Sequence, residues 1–171
     1  VGAMSGTLPR SLLMPSTSQL PVEWYFDEKL LELELKTIFA AGANYVGHEL
    51  MVPNMNDYRS EEWNDHAQII ICQEDGVYEM SNVCRHRQAI MLEGLGHAKN
   101  IVCPIHRWTY DCGGTLVGAP HFDTNPALSL KKQLLENWQG LLFRGPGSAN
   151  ADLAGMQLTN VFDFAGYRLD R

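Results

Sequence analysis

Two short motifs place cysteine beside histidine: Cys84-Arg85-His86 and Cys103-Pro104-Ile105-His106, with sixteen residues between His86 and Cys103. Alone, a C-x-H or a C-x-x-H carries little weight. Together, each at a predicted loop after a strand, they form a metal-binding signal. Two thiolates and two neutral imidazoles suit a [2Fe–2S] cluster in which the thiolates hold one iron and the imidazoles the other. Exchanging two thiolates for imidazoles removes two negative charges, so an added electron is accepted more easily and the potential rises. The oxidised core's two positive charges cancel the thiolates, and reduction leaves a single negative charge. A structural zinc site is one alternative, but zinc fingers usually space each ligand pair by about two to five residues, which C-x-H fits poorly. A coincidence of four unrelated core residues is the other.

His48, His66, His97 and His121 read as surface or hydrogen-bonded residues rather than ligands. Cys72 reads as a strand-core thiol and Cys112 as a thiol near a turn. Four cysteines in 171 residues do not make a dense disulfide framework, and free thiols suit a reducing cytoplasm.

The elements that position these motifs are mainly β, preceded by one helix. Residues 1–20 are rich in Ser, Thr, Pro and Gly and read as a loose arm. Asp27 can cap a helix running to about Ala41, with Leu30, Leu31, Leu35, Ile38 and Phe39 at helical spacing and Gly42 as its stop. The period then shortens. Strands are predicted at Ala43–Glu49, Ala67–Gln73, Val77–Asn82, Ile101–Cys103, Thr115–Gly118, Leu128–Leu135 and Gly140–Phe143. Turn signals at Pro53-Asn54, Glu74-Asp75-Gly76, Gly94 to Gly96, Cys112-Gly113-Gly114 and Asn137 to Gly140 separate them. Short strands at this spacing argue for an antiparallel sandwich or small barrel. The expected division is an arm and helix over 1–42, a cluster domain over 43–148 and a tail over 149–171 with mild helical character at Ala151–Gly155 and Thr159–Phe164.

Hydrophobic residues make up 45% and charged residues 19%, ordinary values for a globular domain. The net charge of −7, without clustered Lys and Arg, gives no sign of nucleic-acid binding. No apolar run reaches the roughly 18 residues that span a bilayer, and Val1-Gly2-Ala3-Met4 does not begin a signal peptide.

At Cys84-Arg85-His86-Arg87 and Cys103-Pro104-Ile105-His106-Arg107-Trp108-Thr109-Tyr110-Asp111 the sequence resembles the Rieske domain of the large (alpha) subunit of ring-hydroxylating non-haem iron oxygenases. The likeness covers roughly residues 20–145, from Trp24-Tyr25 through Tyr45-Val46-Gly47-His48 to the segment Gly114–Pro120. It implies a Rieske-type antiparallel β-sandwich with two cluster-binding loops. It also implies cluster ligands Cys84, His86, Cys103 and His106, with Arg87, Arg107, Trp108 and Tyr110 around them. One departure is Arg107, where the family usually has Gly. A bulky cation there is expected to change the loop backbone or the electrostatics. Arg85, Arg87 and Arg107 read either as solvated loop residues or structural salt bridges, or as cations of which at least Arg107 favours the charge gained on reduction and the docking of an acidic donor.

Respiratory Rieske proteins carry an extra cysteine in each loop, forming a disulfide; the matching positions here are Ala89 and Ile105. They also place a serine where Trp108 stands, while Tyr110 remains as a donor to sulfur. Fewer donors mean a lower potential, expected at about −150 mV rather than +300 mV. The resemblance further implies a reductase or ferredoxin as electron donor, and a homotrimer with or without a small beta subunit. A mononuclear Fe(II) would lie in a catalytic domain outside this chain. That iron needs two His and a carboxylate, and no histidine follows His121, so the chain alone is not expected to hydroxylate anything. The competing expectation is a stand-alone Rieske-type ferredoxin.

Overall fold

The computed structural model describes residues 21–154 and Tyr167. The expectations for residues 1–20 and for Thr159–Phe164 lie outside them. In chain order the strands are β1 (Asn44–His48), β2 (Asp57–Ser60), β3 (Gln68–Gln73), β4 (Gly76–Ser81), β5 (Leu95–His97) and β6 (Asn100–Val102). They continue as β7 (Thr109–Asp111), β8 (Leu116–Gly118), β9 (Lys132–Leu134), β10 (Glu136–Trp138) and β11 (Leu141–Arg144). Among the described residues three antiparallel sheets result, ordered β1-β11-β10, β5-β2-β3-β4-β9 and β6-β7-β8.

Three consecutive isoleucines explain the layering. Successive side chains of a strand point to opposite faces, so Ile69-Ile70-Ile71 on β3 requires cover on both. Ile69 and Ile71 pack with Met80, Ile101, Trp108, Tyr110 and Leu116 toward the β6-β7-β8 sheet. Ile70 packs with Val46, Val52, Leu135 and Leu142 toward the β1-β11-β10 sheet. The five-stranded sheet is therefore the middle layer. The two ligand motifs sit in the β4–β5 and β6–β7 connections on its first side.

The sequence reading placed β1, β3, β4, β6, β8, β9 and β11 within a few residues, and overlooked β2, β5, β7 and β10. Gly94 to Gly96, read as a turn, carries most of β5. Gly96 pairs with Tyr58 of β2, whose ring lies across the backbone there. A Cβ on Gly96 would sit 2.8 Å from the Tyr58 hydroxyl, so this glycine marks a close approach rather than a chain reversal.

Asp27 caps α1 (Glu28–Glu34), accepting from the Lys29 and Leu30 amides at 2.9 and 3.4 Å. The helix then widens into a π-turn over Leu35–Phe39, closed by the Ala40 amide on the Leu35 carbonyl at 2.8 Å. It stops just short of the expected Ala41, and none of its residues is buried. A second short helix, α2 (Ala149–Ala154), begins two residues before its expected start. Its first amides donate to the Glu136 carboxylate, from Ala149 at 2.7 Å and from Asn150 at 3.0 Å.

Between the middle layer and β11 lies a charged trio of two buried carboxyls and a half-buried guanidinium. Arg144 ion-pairs with Glu79 and stands 3.8 Å from the carboxylate of Glu61, which is 0% exposed. One guanidinium faces two buried carboxyls. Burial first, and then the neighbouring Glu79, push Glu61 up from its usual 4.5 to about 7, against the pull of Arg144. The folded state thus holds this proton more tightly than the unfolded chain. The resulting stabilisation is complete below about pH 4.5 and is lost as pH rises toward 7. Glu61→Gln, neutral and nearly isosteric, is expected to gain on the wild type across that interval. The gain is up to about 3 kcal/mol at pH 8, since one pKa unit is about 1.4 kcal/mol. Denaturation of both proteins between pH 4.5 and 8 measures it, and a difference that does not change with pH refutes a proton held on Glu61.

Candidate metal centre

The two ligand loops share one backbone frame. In the first, the Cys84 amide donates to the Ala89 carbonyl at 2.8 Å and the Gln88 amide to the Cys84 carbonyl at 2.9 Å. In the second, Cys103 donates to Trp108 at 2.8 Å and Arg107 to Cys103 at 3.1 Å. Each loop reverses through a left-handed residue, Gln88 at φ 58° and Arg107 at φ 60°. An L-residue there costs about 1–2 kcal/mol that glycine avoids. That conformation accounts for glycine as the family's usual residue at this position, and it leaves the Arg107 side chain in solvent. The two frames match in length. The histidine comes two residues after the cysteine in the first loop and three in the second.

Cys84 and Cys103 are free thiols, 0% and 2% exposed, inside the core shared with the middle layer. His86 and His106 are half-buried, their rings 4.6 Å apart between centroids and nearly perpendicular. The Nδ1 atoms of both are buried without a hydrogen-bond partner among the described residues. A buried, unpaired ring nitrogen requires an explanation, and two of them on neighbouring rings, in loops that each also carry a buried thiol, have a shared one. Burial, and then His106 and Arg87, hold His86 below its usual pKa and favour the neutral imidazole that binds metal. Two thiols and two imidazoles are the donor set that a [2Fe–2S] cluster takes, two on each iron, so the donors fit the cluster.

The surrounding side chains are tightly placed. The Tyr110 hydroxyl accepts from the Arg85 amide at 3.0 Å and lies 3.6 Å from the Cys84 sulfur. Burial raises the Tyr110 pKa, keeping the phenol protonated and able to donate toward that sulfur. Trp108, buried, stacks on His86 with centroids 4.9 Å apart and planes 9° from parallel. Arg85, Arg87 and Arg107 are exposed around the loop tips, as is Ile105.

The reading from sequence missed two residues here. Asn82, fully buried, ties the ends of the first loop together, and Phe122 packs edge-on against His86 and Trp108. The other histidines lie elsewhere: His66 meets Ser60, His97 meets Asp57, His48 accepts from the Leu50 amide, and His121 sits exposed in a turn. Cys72 is half-buried on β3, and Cys112 is buried with its thiol donating to the Ala98 carbonyl at 2.8 Å.

Known proteins align with this arrangement. The model of the Rieske [2Fe-2S] domain matches residues 31–138. Putrescine 2-hydroxylase of Ralstonia nicotianae is 51% identical over 92% of this chain, which spans 43% of that protein. The biphenyl 2,3-dioxygenase alpha subunit of Rhodococcus jostii is 29% identical over 98% of the chain and 39% of its own length. Among solved structures, naphthalene 1,2-dioxygenase with indole in its active site superposes at a TM-score of 0.65 with 28% identity. That match covers 82% of this chain and 35% of the dioxygenase chain. The chain thus spans less than half the length of these relatives. The paired sulfurs, the paired imidazoles and the matched sequence agree: the chain belongs to the Rieske [2Fe–2S] domain family, and its cofactor is the two-iron cluster.

Proposed function

We propose that this chain is the electron-supplying domain of a Rieske oxygenase large subunit, with Cys84, His86, Cys103 and His106 as the cluster ligands. The observation that carries this reading is the pairing of two buried sulfurs with two buried, unpartnered Nδ1 atoms. The cluster, when bound, supplies a store for one electron. The protein's part is to hold that store dry on one side and open on the other. The sulfurs lie in the core, while the imidazoles reach the surface, so electrons exchange through the edges of His86 and His106. Tyr110 holds its proton toward the Cys84 sulfur, and Trp108 fixes the plane of His86 and keeps water from that face. Arg87 and Arg107, exposed beside the histidines, favour the charge gained on reduction and an acidic donor, a reductase or ferredoxin.

The electron's destination is a mononuclear Fe(II) in a catalytic domain, within a cytoplasmic trimer. The stand-alone ferredoxin is the weaker reading, since oxygenase relatives match the chain over 92–98% of its length, beyond the cluster loops. The substrate we infer is a short aliphatic diamine rather than an aromatic ring. Two putrescine 2-hydroxylases are 51% and 42% identical to the chain, against 29–30% for the biphenyl and benzene dioxygenases. The test supplies the natural polypeptide with a reductase, dioxygen and either putrescine or biphenyl. Hydroxylated diamine and untouched biphenyl are expected, and turnover of biphenyl alone would overturn the substrate assignment.

A further inference from the structure

Phe122 belongs to neither ligand motif, yet it closes the metal centre. It stands in the connection between β8 and β9, where its amide donates to the Ala119 carbonyl at 3.2 Å and turns the chain back toward the loops. Its ring meets the His86 ring edge-on, with centroids 6.0 Å apart at 88°, and the Trp108 ring edge-on at 5.2 Å and 81°. His86 is thereby enclosed on three sides: Trp108 on its face, His106 across 4.6 Å, and Phe122 at its flank. Phe122 is 47% exposed, so one side of its ring faces water and the other faces the imidazole. A half-exposed phenylalanine gains little by core burial. Its two edge-to-face contacts are the specific interactions it makes.

We infer that Phe122 is a positioning residue for the His86 ligand, locking the Trp108–His86 stack and screening that imidazole from solvent. This rests on the assignment of His86 as a cluster ligand. No hydrogen bond reaches His86 Nδ1 from the described residues, so ring contacts are what orient the donor atom before and after it binds. Removing Phe122 frees the imidazole to tilt and lets water approach. Water stabilises the extra negative charge of the reduced cluster, so the potential shifts upward.

The experiment compares Phe122→Ala, Phe122→Leu and Phe122→Tyr with the wild type, each loaded with its cluster. Three readouts apply: iron release to a chelator, the potential, and the histidine nitrogen hyperfine couplings of the reduced cluster. Phe122→Ala is expected to release iron about tenfold faster, equivalent to about 1.4 kcal/mol, within what two edge-to-face contacts supply. Its potential should rise and its nitrogen couplings should change. Phe122→Tyr, which keeps the ring, should restore all three. Phe122→Leu fills the space without an aromatic edge, so its couplings should remain altered while iron release slows. Alanine and leucine variants that match the wild type in all three readouts would overturn the role of Phe122. A tyrosine variant no better than alanine would overturn it too. A wild type that takes up no cluster would instead refute the metal centre itself, a failure recognisable before any variant is made.

Discussion

Cys84→Ala and Cys103→Ala, made one at a time, are each expected to give colourless protein that retains neither iron nor acid-labile sulfide. On the proposed ligand set, neither sulfur has a neighbour that can replace it. The other free thiols, Cys72 and Cys112, belong to β3 and to the turn after β7, outside the two loops in sequence, and the Cys112 thiol is engaged by the Ala98 carbonyl. Loss of the cluster also removes the link between the two loops and leaves two imidazole nitrogens buried without a partner among the described residues. Binding energy at a structural metal site is folding energy, and for zinc sites it reaches about 10–16 kcal/mol, comparable to the whole stability of a domain. The cysteine variants should therefore lose stability by several kcal/mol as well as colour.

Controls make the result specific. Cys112→Ala deletes one thiol donor to the Ala98 carbonyl and should cost about 1 kcal/mol while the protein stays brown. His106→Cys trades a neutral ligand for a charged one. If a cluster forms, its potential should fall toward the roughly −400 mV of all-cysteine clusters. Iron, sulfide and the visible spectrum measure these outcomes, and a brown Cys84→Ala protein would remove Cys84 from the ligand set.

The candidate ligands stand out in the sequence because cluster chemistry accepts few side chains, and local loop geometry fixes their spacing. Central strands were readable for a similar reason. A strand buried on both faces, such as the one bearing Ile69-Ile70-Ile71, must be apolar throughout, and that run stands out. β2 and β5 were not, since Asp57-Tyr58-Arg59-Ser60 and Leu95-Gly96-His97 take their strand geometry from neighbours rather than from their own composition. β7 was hidden differently: Thr109-Tyr110-Asp111 has strand propensity, but its residues were read as part of the ligand motif.

The supporting residues were the least legible. Phe122 touches His86 only because the β8–β9 connection folds back, and no local pattern marks an aromatic in a loop as a partner for a distant histidine. Arg107 shows the reverse case. Its identity departs from the family's glycine, and only its φ of 60° explains what the glycine was for. Sequence reading anticipated a change in the loop backbone or in the electrostatics, and the left-handed φ shows what the backbone part is.

Asn82→Ala should be among the most damaging changes outside the ligands, because one buried amide fastens the first ligand loop at both ends. Asn82 is 0% exposed. Its Nδ2 donates to the His66 carbonyl at 2.7 Å and the Leu92 carbonyl at 2.6 Å, and its Oδ1 accepts from the Leu92 amide at 2.9 Å. Its own backbone is paired as well, with the Ala67 carbonyl at 2.9 Å and the Met91 amide at 3.1 Å. The side chain thus joins residues 82 and 92 across the base of the loop that carries Cys84 and His86, and anchors both to the turn before β3. Alanine breaks three hydrogen bonds at about 1 kcal/mol each and leaves their partners unmet inside the protein. A loss of about 3 kcal/mol lowers the midpoint of a chain this size by roughly 6–12 °C. Asn82→Asp does not rescue it, since a carboxylate would face two carbonyl oxygens in place of its lost donors. Ser81→Ala next to it is the control. Among the described residues the Ser81 hydroxyl accepts only a long 3.4 Å contact from the Val83 amide, and its loss should cost no more than about 0.5 kcal/mol. Because the loop base opens before the cluster leaves, Asn82→Ala should also surrender iron to a chelator faster than Ser81→Ala at equal temperature. Thermal midpoints and release rates that are the same for the two variants would show that the loop is held by the cluster and its backbone frame alone.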